Sequence, residues 1–193
     1  MKDKKSLIYK KAKKLFLEKG FKDTNISELA ASVGISVGSF YTYYPSKEKL
    51  FMEIFLDENA ALKQRCLLAI DRTQSPLVVV HQMLALNAQG IRANPILREW
   101  YNERTFTKLE KVYREEHGSK ATYFLYDSFL ELIEQWQKEH SIRNDIDSKM
   151  IMMIFAAIIN IDAHKEEIGI DYFPTLLEIM TDLIMKGLAT DPV

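Results

Sequence analysis

The stretch NISELAASVGISVGSFYTYY, residues 25–44, decides the fold. It predicts two short helices, 26–33 and 37–44, joined by a tight turn. Asn25 suits the N-cap, because its side-chain oxygen can accept from the open backbone N–H groups of the first turn. Glu28, three residues on, completes a capping-box pattern. Ile26, Leu29, Ala30 and Val33 recur at the spacing of one helical face. Gly34 fits the position just past a helix end, where a left-handed backbone is cheap for glycine. Ser36 is placed to cap the second helix, Phe40 and Tyr44 give it a buried stripe, and Pro45 ends it.

This is the outline of a helix-turn-helix, whose second helix is shaped to enter a DNA major groove. Short amphipathic helix pairs with a glycine turn also occur in all-α domains that bind no nucleic acid. The alternative is therefore a helical interaction module without sequence-specific DNA binding. Charge separates the two readings. Residues 1–50 hold eleven lysines and five acids, whereas the remaining residues hold fifteen bases and twenty-two acids. A basic head on an acidic body favours a nucleic-acid partner for the head.

Working outward, residues 4–19 predict a first helix with Ile8, Ala12, Leu15 and Phe16 inward and lysines over much of the rest. Gly20 stops it, and Phe21 packs back on Phe16. Lys2, Lys4 and Lys5 near its start resemble a basic arm that reaches phosphates or a minor groove. The expected DNA-contacting residues are Thr24, Asn25, Ser36, Val37, Gly38, Ser39, Tyr41, Thr42, Tyr43 and Lys47. Thr24 and the tyrosines offer hydroxyls to phosphates, Gly38 allows close backbone approach, and Lys47 is the charge clamp, with Lys49 a weaker one. The second helix carries no arginine for bidentate guanine contacts, so base reading falls to Ser39, Thr42 and Tyr43 and to thymine methyls. Ser46 opens a fourth helix to about residue 73, placed to carry motion between head and body.

The segment GFKDTNISELAASVGISVGSFYTYYPSKEKLF, residues 20–51, resembles the N-terminal domain of the TetR family of bacterial transcriptional regulators. Phe21, Leu29–Ala30, Gly34–Ile35–Ser36, Gly38, Phe40–Tyr41, Tyr43–Tyr44 and Lys47–Glu48–Lys49–Leu50 match the family pattern. Val37 departs from it where a basic or polar residue is common, and Ser27 where arginine is frequent. The resemblance covers residues 4–55. It implies an all-α fold with residues 1–50 as the helix-turn-helix domain and 51–193 as an effector-binding and dimerisation domain. It further implies a repressor that binds a pseudo-palindromic operator as a homodimer.

Past residue 75 the sequence predicts helices over 76–92, 95–104, 105–116, 120–140, 147–167 and 173–188. The run 150–161 is apolar on nearly every side, which predicts burial all round. The last helix carries two stripes, Tyr172, Leu176, Ile179, Leu183 and Phe173, Leu177, Met180, Ile184. One suits the chain's own core and the other a partner. Ile154, Ile158, Leu176, Ile179 and Leu183 are accordingly expected at a homodimer interface. The effector cavity that the resemblance implies would draw on Met83, Asn87, Trp100, Tyr101, Tyr113, Tyr123, Tyr126, Met153 and Asn160, and take a small, largely apolar molecule. The same aromatic residues at helical spacing also read as plain core.

Enzyme motifs are missing: there is no G-x-S-x-G, H-E-x-x-H, glycine-rich phosphate loop or Cys/His cluster. No cofactor or metal is expected. Cys66 stands alone, which excludes an intramolecular disulfide, and it reads as a small buried hydrophobe. The longest apolar run, ten residues, is half of what a bilayer needs, and a cytoplasmic protein is expected.

Overall fold

The computed structural model describes residues 2–115, 123–161, 164–173 and 175–190. The fold is all-α; among the described residues the extended structure amounts to one isolated bridge, Ile142 to Ala189. The helices are α1 (Lys2–Asp23), α2 (Ile26–Ser32), α3 (Val37–Tyr41), α4 (Lys47–Ala69), α5 (Pro76–Ala93), α6 (Pro95–Arg98), α7 (Glu103–Glu115), α8 (Tyr123–Lys138), α9 (Ser148–Ile161), α10 (Lys165–Ile168) and α11 (Thr175–Leu188). Short 3-10 turns occupy Glu99–Tyr101 and Ile170–Tyr172. The chain falls into two compact units, Met1–Leu62 with Gln89–Ala121 and Lys63–Ala88 with Thr122–Val193.

In the first unit, Ile8, Ala12 and Phe16 of α1 and Phe51 and Ile54 of α4 are all buried. The Phe16 and Phe51 rings meet edge-on at 5.0 Å, and Phe21 meets Phe51 at 4.9 Å. Each such buried ring contributes roughly 1.5–3 kcal/mol of transfer free energy. Gly20 breaks the helical backbone at φ +77°, and one further turn follows it. Trp100 belongs to this unit too. It stacks on Phe55 at 5.4 Å and meets Phe106 and Tyr113 at 4.9 and 5.0 Å.

In the second unit, Phe129 sits between Trp136 and Phe155 at 6.1 and 5.2 Å, over a core that includes Ile133, Ile151 and Met185. Cys66 is buried, and desolvation raises its thiol pKa, so the thiol is an apolar filler as expected.

Several helix ends differ from the sequence expectation for local reasons. α3 stops at Tyr41, because Tyr43 N donates to Phe40 O in a tighter turn and Thr42 Oγ1 donates to Ser39 O. α4 stops at Ala69, because the Asp71 carboxylate gathers Thr73 N, Thr73 Oγ1 and Gln74 Nε2 into a side-chain turn. α6 stops at Arg98, because Asn102 caps α7 through Arg104 N at 3.2 Å. Among the described residues, α9 spans Ser148–Ile161 and α11 spans Thr175–Leu188.

Within one chain α9 is not covered on every side. Met150 and Met153 are 57% and 50% exposed, while Ile151, Met152 and Phe155 are buried. Ile158, expected at the homodimer interface, lies in its own chain's core. An all-apolar helix has no polar stripe to mark its solvent side, so periodicity cannot orient it.

Candidate nucleic-acid interface

The helix-turn-helix is built by local hydrogen bonds. Asn25 Oδ1 accepts from Glu28 N at 2.7 Å. The other half of the expected capping box is not made, because the Glu28 carboxylate pairs with Lys19. Past α2, Ile35 N donates to Ala30 O and Gly34 N to Ala31 O at 3.0 and 3.1 Å. With Gly34 at φ +67°, this is a Schellman ending, and it turns the chain into α3. Ser36 Oγ accepts from Ser39 N at 3.1 Å and shares a hydrogen bond with Ser39 Oγ at 2.9 Å.

Two rings fasten α3 from below. Phe40 and Tyr44 are buried and stacked at 6.1 Å, and Tyr44 OH donates to Glu53 Oε1 at 3.2 Å. Fastening by Phe40 and Tyr44 leaves Val37, Gly38, Ser39, Tyr41 and Thr42 exposed together, with Tyr43 half-buried beside them. The exposed face is small, uncharged and rich in hydroxyls. Thr42 Oγ1 is donating to Ser39 O, so its methyl and its oxygen lone pairs are what it presents.

Thr24 and Lys47, both expected at phosphates, have hydrogen-bond partners within the chain. Thr24 is buried, and its hydroxyl donates to Gly20 O at 2.8 Å. Lys47 Nζ donates to Phe21 O and Thr24 O at 2.8 and 2.9 Å and sits 4.3 Å from the Phe21 ring centre. Desolvation there lowers the ammonium pKa. Lys47 is therefore a strut between the end of α1 and the start of α4. Lys49 is likewise paired, with Glu115 at 3.0 Å. Lys22, Asn25, Tyr41, Ser46 and Lys47 surround a shallow groove beside α3.

A set of contacts escaped the sequence reading. Lys5 pairs with Glu53 at 3.1 Å, Tyr9 OH donates to Asp57 at 2.7 Å, and Lys13 pairs with Glu58 at 2.5 Å. One edge of α1 thus runs along an acidic edge of α4. The signal was present as a four-residue step in each helix, at 5, 9, 13 and at 53, 57. Part of the head's lysine surplus is thus spent on α4. Lys10, Lys11 and Lys22 remain exposed.

The sequence profile of the bacterial regulatory proteins of the tetR family matches residues 8–54, which spans α1, the helix pair and the start of α4. Residues 8–54 thus form a domain of the tetR-family type. The chain is similar to YuxN of Bacillus subtilis, an HTH-type transcriptional regulator, with 46% identity over 54 residues, 28% of this chain and 19% of that one. It is also similar to the HTH-type transcriptional regulator YerO of the same organism, with 29% identity over 98% of this chain and 67% of that one. The chain thus aligns with about a fifth of YuxN's length and two thirds of YerO's. In fold it is similar to Thermus thermophilus FadR, a TetR-family transcriptional repressor solved in complex with lauroyl-CoA. The TM-score is 0.64, with 23% identity over 98% of this chain and 97% of that one.

Of the effector residues that the TetR resemblance implied, Trp100, Tyr101 and Tyr113 lie in the first unit. Met83, Asn87, Tyr126 and Met153 lie in the second. Trp100, buried, and Tyr113, half-buried, pack on one another. Asn87 Oδ1 accepts from Lys63 Nζ at 2.5 Å, Met83 and Tyr126 pack on the second core, and Met153 faces outward. Tyr123 and Asn160 have side chains outside the described residues. Of the expected interface residues, Ile154 and Leu176 are half-buried, and Ile179 and Leu183 are exposed.

Proposed function

We propose that the chain is a homodimeric repressor, with residues 1–50 gripping a pseudo-palindromic operator and 51–193 dimerising and binding an effector. The carrying observation is on α11. Leu177, Met180 and Ile184 pack on the second core, while Ile179 and Leu183, one turn apart, are 53% and 64% exposed. A continuous apolar stripe left open on a soluble chain marks an interaction surface. α9 adds Met150 and Met153 to the exposed apolar surface. A two-fold pair of such chains carries two α3 helices, and half-sites related by the same dyad follow from that symmetry.

Release by a small, largely apolar molecule is part of the same proposal. The fold neighbour FadR was solved with lauroyl-CoA, and the second unit here has adaptable apolar groups in Met83, Met152 and Tyr126. An effector that prefers dimers with mismatched α3 spacing would weaken operator binding by its differential affinity, with α4 as the lever. The proposed setting is the cytoplasm; among the described residues, no helix is long and apolar enough to cross a membrane.

Sedimentation equilibrium tests the dimer. Wild type is expected at twice the chain mass, and Leu183→Glu at the chain mass with unchanged helical circular dichroism. A monomeric wild type contradicts the proposal.

A further inference from the structure

We infer that Glu99 is a positioning residue for the DNA-binding head, its carboxylate fixing the Gly20–Phe21 bend from which the helix-turn-helix starts. The inference rests on the DNA-binding reading above. At Gly20 the backbone leaves helical geometry, with φ +77° and ψ 176°. The Phe21 amide that follows thereby loses a regular helical acceptor and needs another. Glu99 Oε1 supplies it at 3.3 Å. A Cβ on Gly20 would stand 3.2 Å from that same oxygen. Glycine and carboxylate are a matched pair: the bend needs the glycine, and the space the glycine leaves is where the carboxylate sits.

Glu99 is itself held. Its Oε2 accepts from Thr105 Oγ1 at 2.9 Å and from Asn102 Nδ2 at 3.0 Å, and Thr105 is buried. The next residue, Trp100, is locked between Phe55, Phe106 and Tyr113. The carboxylate is therefore fixed to the start of α7, not to a loose loop.

Phe21 is the receiving node. Its N–H is held by Glu99, its carbonyl by Lys47, and its ring by Phe51. Four residues later Asn25 caps α2. A displacement of α7 that moves Glu99 moves the point from which α2 and α3 are aimed.

The sign of the effect separates this role from plain electrostatics. Removing a carboxylate from a lysine-rich head strengthens attraction to every duplex alike. Removing a positioning group instead lowers the preference for the operator over other DNA.

The test measures binding of wild type, Glu99→Gln, Glu99→Ala and Thr105→Val to two labelled duplexes. One is selected from a randomised pool by wild type, and the other is its scrambled sequence. Amide exchange is followed by mass spectrometry on the same proteins. Glutamine keeps an oxygen for Phe21 N, so its preference ratio should stay within about threefold of wild type. Alanine should lower the ratio about tenfold, the scale of one lost hydrogen bond to a charged group. Its scrambled-duplex affinity should be unchanged or tighter. Thr105→Val is isosteric and removes one anchor, so it gives a smaller drop of the same sign and decides the matter if the alanine variant does not fold. Exchange over residues 20–26 should quicken in Glu99→Ala and not in Glu99→Gln. An unchanged ratio in Glu99→Ala and Thr105→Val, equal losses in the glutamine and alanine variants, or parallel gains on both duplexes would overturn the inference. If wild type selects no sequence, the DNA-binding reading fails. The exchange comparison then decides the Glu99 bend separately, with unchanged protection at 20–26 refuting it.

Discussion

Lys47 and Phe21 are joined twice: the ammonium lies 2.8 Å from the Phe21 carbonyl oxygen and 4.3 Å from the centre of its ring. The third tie is Thr24 O at 2.9 Å, so one cation holds two carbonyls and a ring at the end of α1. This geometry changes what the most conspicuous lysine of the head does. Lys47→Met should keep the stem and lose the ties, lowering stability by about 2 kcal/mol. For a chain of this length that is a fall of roughly 4–8 °C in the melting midpoint. Because the charge is committed to carbonyls, the slope of log affinity against log salt should change by well under the one unit expected of a phosphate contact. A loss of a full unit with an unchanged melting midpoint would restore the clamp reading.

Gly34 and Gly90 make opposite demands. Gly34 has φ +67° with open space around the position of a Cβ. Gly34→Ala should therefore cost about 1–2 kcal/mol through backbone strain alone, and no second substitution should relieve it. At Gly90 a Cβ would lie 2.1 Å from Leu62 Cδ1, at a close crossing of α4 and α5. Gly90→Ala should cost about 1–3 kcal/mol through overpacking. Shortening Leu62 to Ala in the same chain should recover part of that. Urea denaturation of the single and double variants checks both, and additive losses at Gly90 and Leu62 would refute the crossing.

Tyr9 and Tyr44 predict the alkaline limb of stability. Both phenols are raised well above the usual tyrosine range, by burial first and then by Asp57 beside Tyr9 and Glu53 beside Tyr44. A folded-state pKa above the unfolded one gives stability that is complete below the unfolded value, about 10, and is lost as pH rises beyond it. The urea midpoint attributable to this pair should be flat from pH 7 to 9 and fall above about 10. Tyr9→Phe with Tyr44→Phe should soften that fall, while costing about 1 kcal/mol per lost hydrogen bond at pH 7. An identical alkaline fall in the double variant would contradict the assignment.

What could be read from sequence here was whatever closes within one turn of chain. Asn25 to Glu28 N, Gly34 at positive φ and Ser36 to Ser39 N each involve residues three or fewer apart or a single backbone angle, and residue type alone identifies them. Phe40 and Tyr44 were legible as an inward pair for the same reason. Thr24 and Lys47 were visible as polar groups beside the motif, but their partners, Gly20 O and Phe21 O, are backbone atoms with no residue-type signature. The Glu99 tie spans 78 residues and depends on how α7 starts, which periodicity does not encode. On α11 two stripes distinguished an inner from an outer face. On α9 the lack of any polar stripe hid that Ile158 points inward and Met153 outward.

Within α3, Thr42→Ala and Tyr43→Ala should redistribute preference among duplexes, because their groups sit at or beside the exposed face. A single altered base contact is worth about 1–3 kcal/mol. Competition against single-base variants of a selected site measures this. Uniform weakening across all of those sites would assign both residues to phosphates instead.

The most direct test of the central claim, that paired chains read duplex DNA through an uncharged α3, is the stoichiometry and symmetry of a selected complex. Wild type should enrich a sequence from a randomised duplex pool, and sedimentation of the complex should give chains in multiples of two per duplex. The enriched sequence should carry two half-sites related by a dyad. Enrichment of no sequence, or one chain per duplex on an asymmetric site, would contradict it.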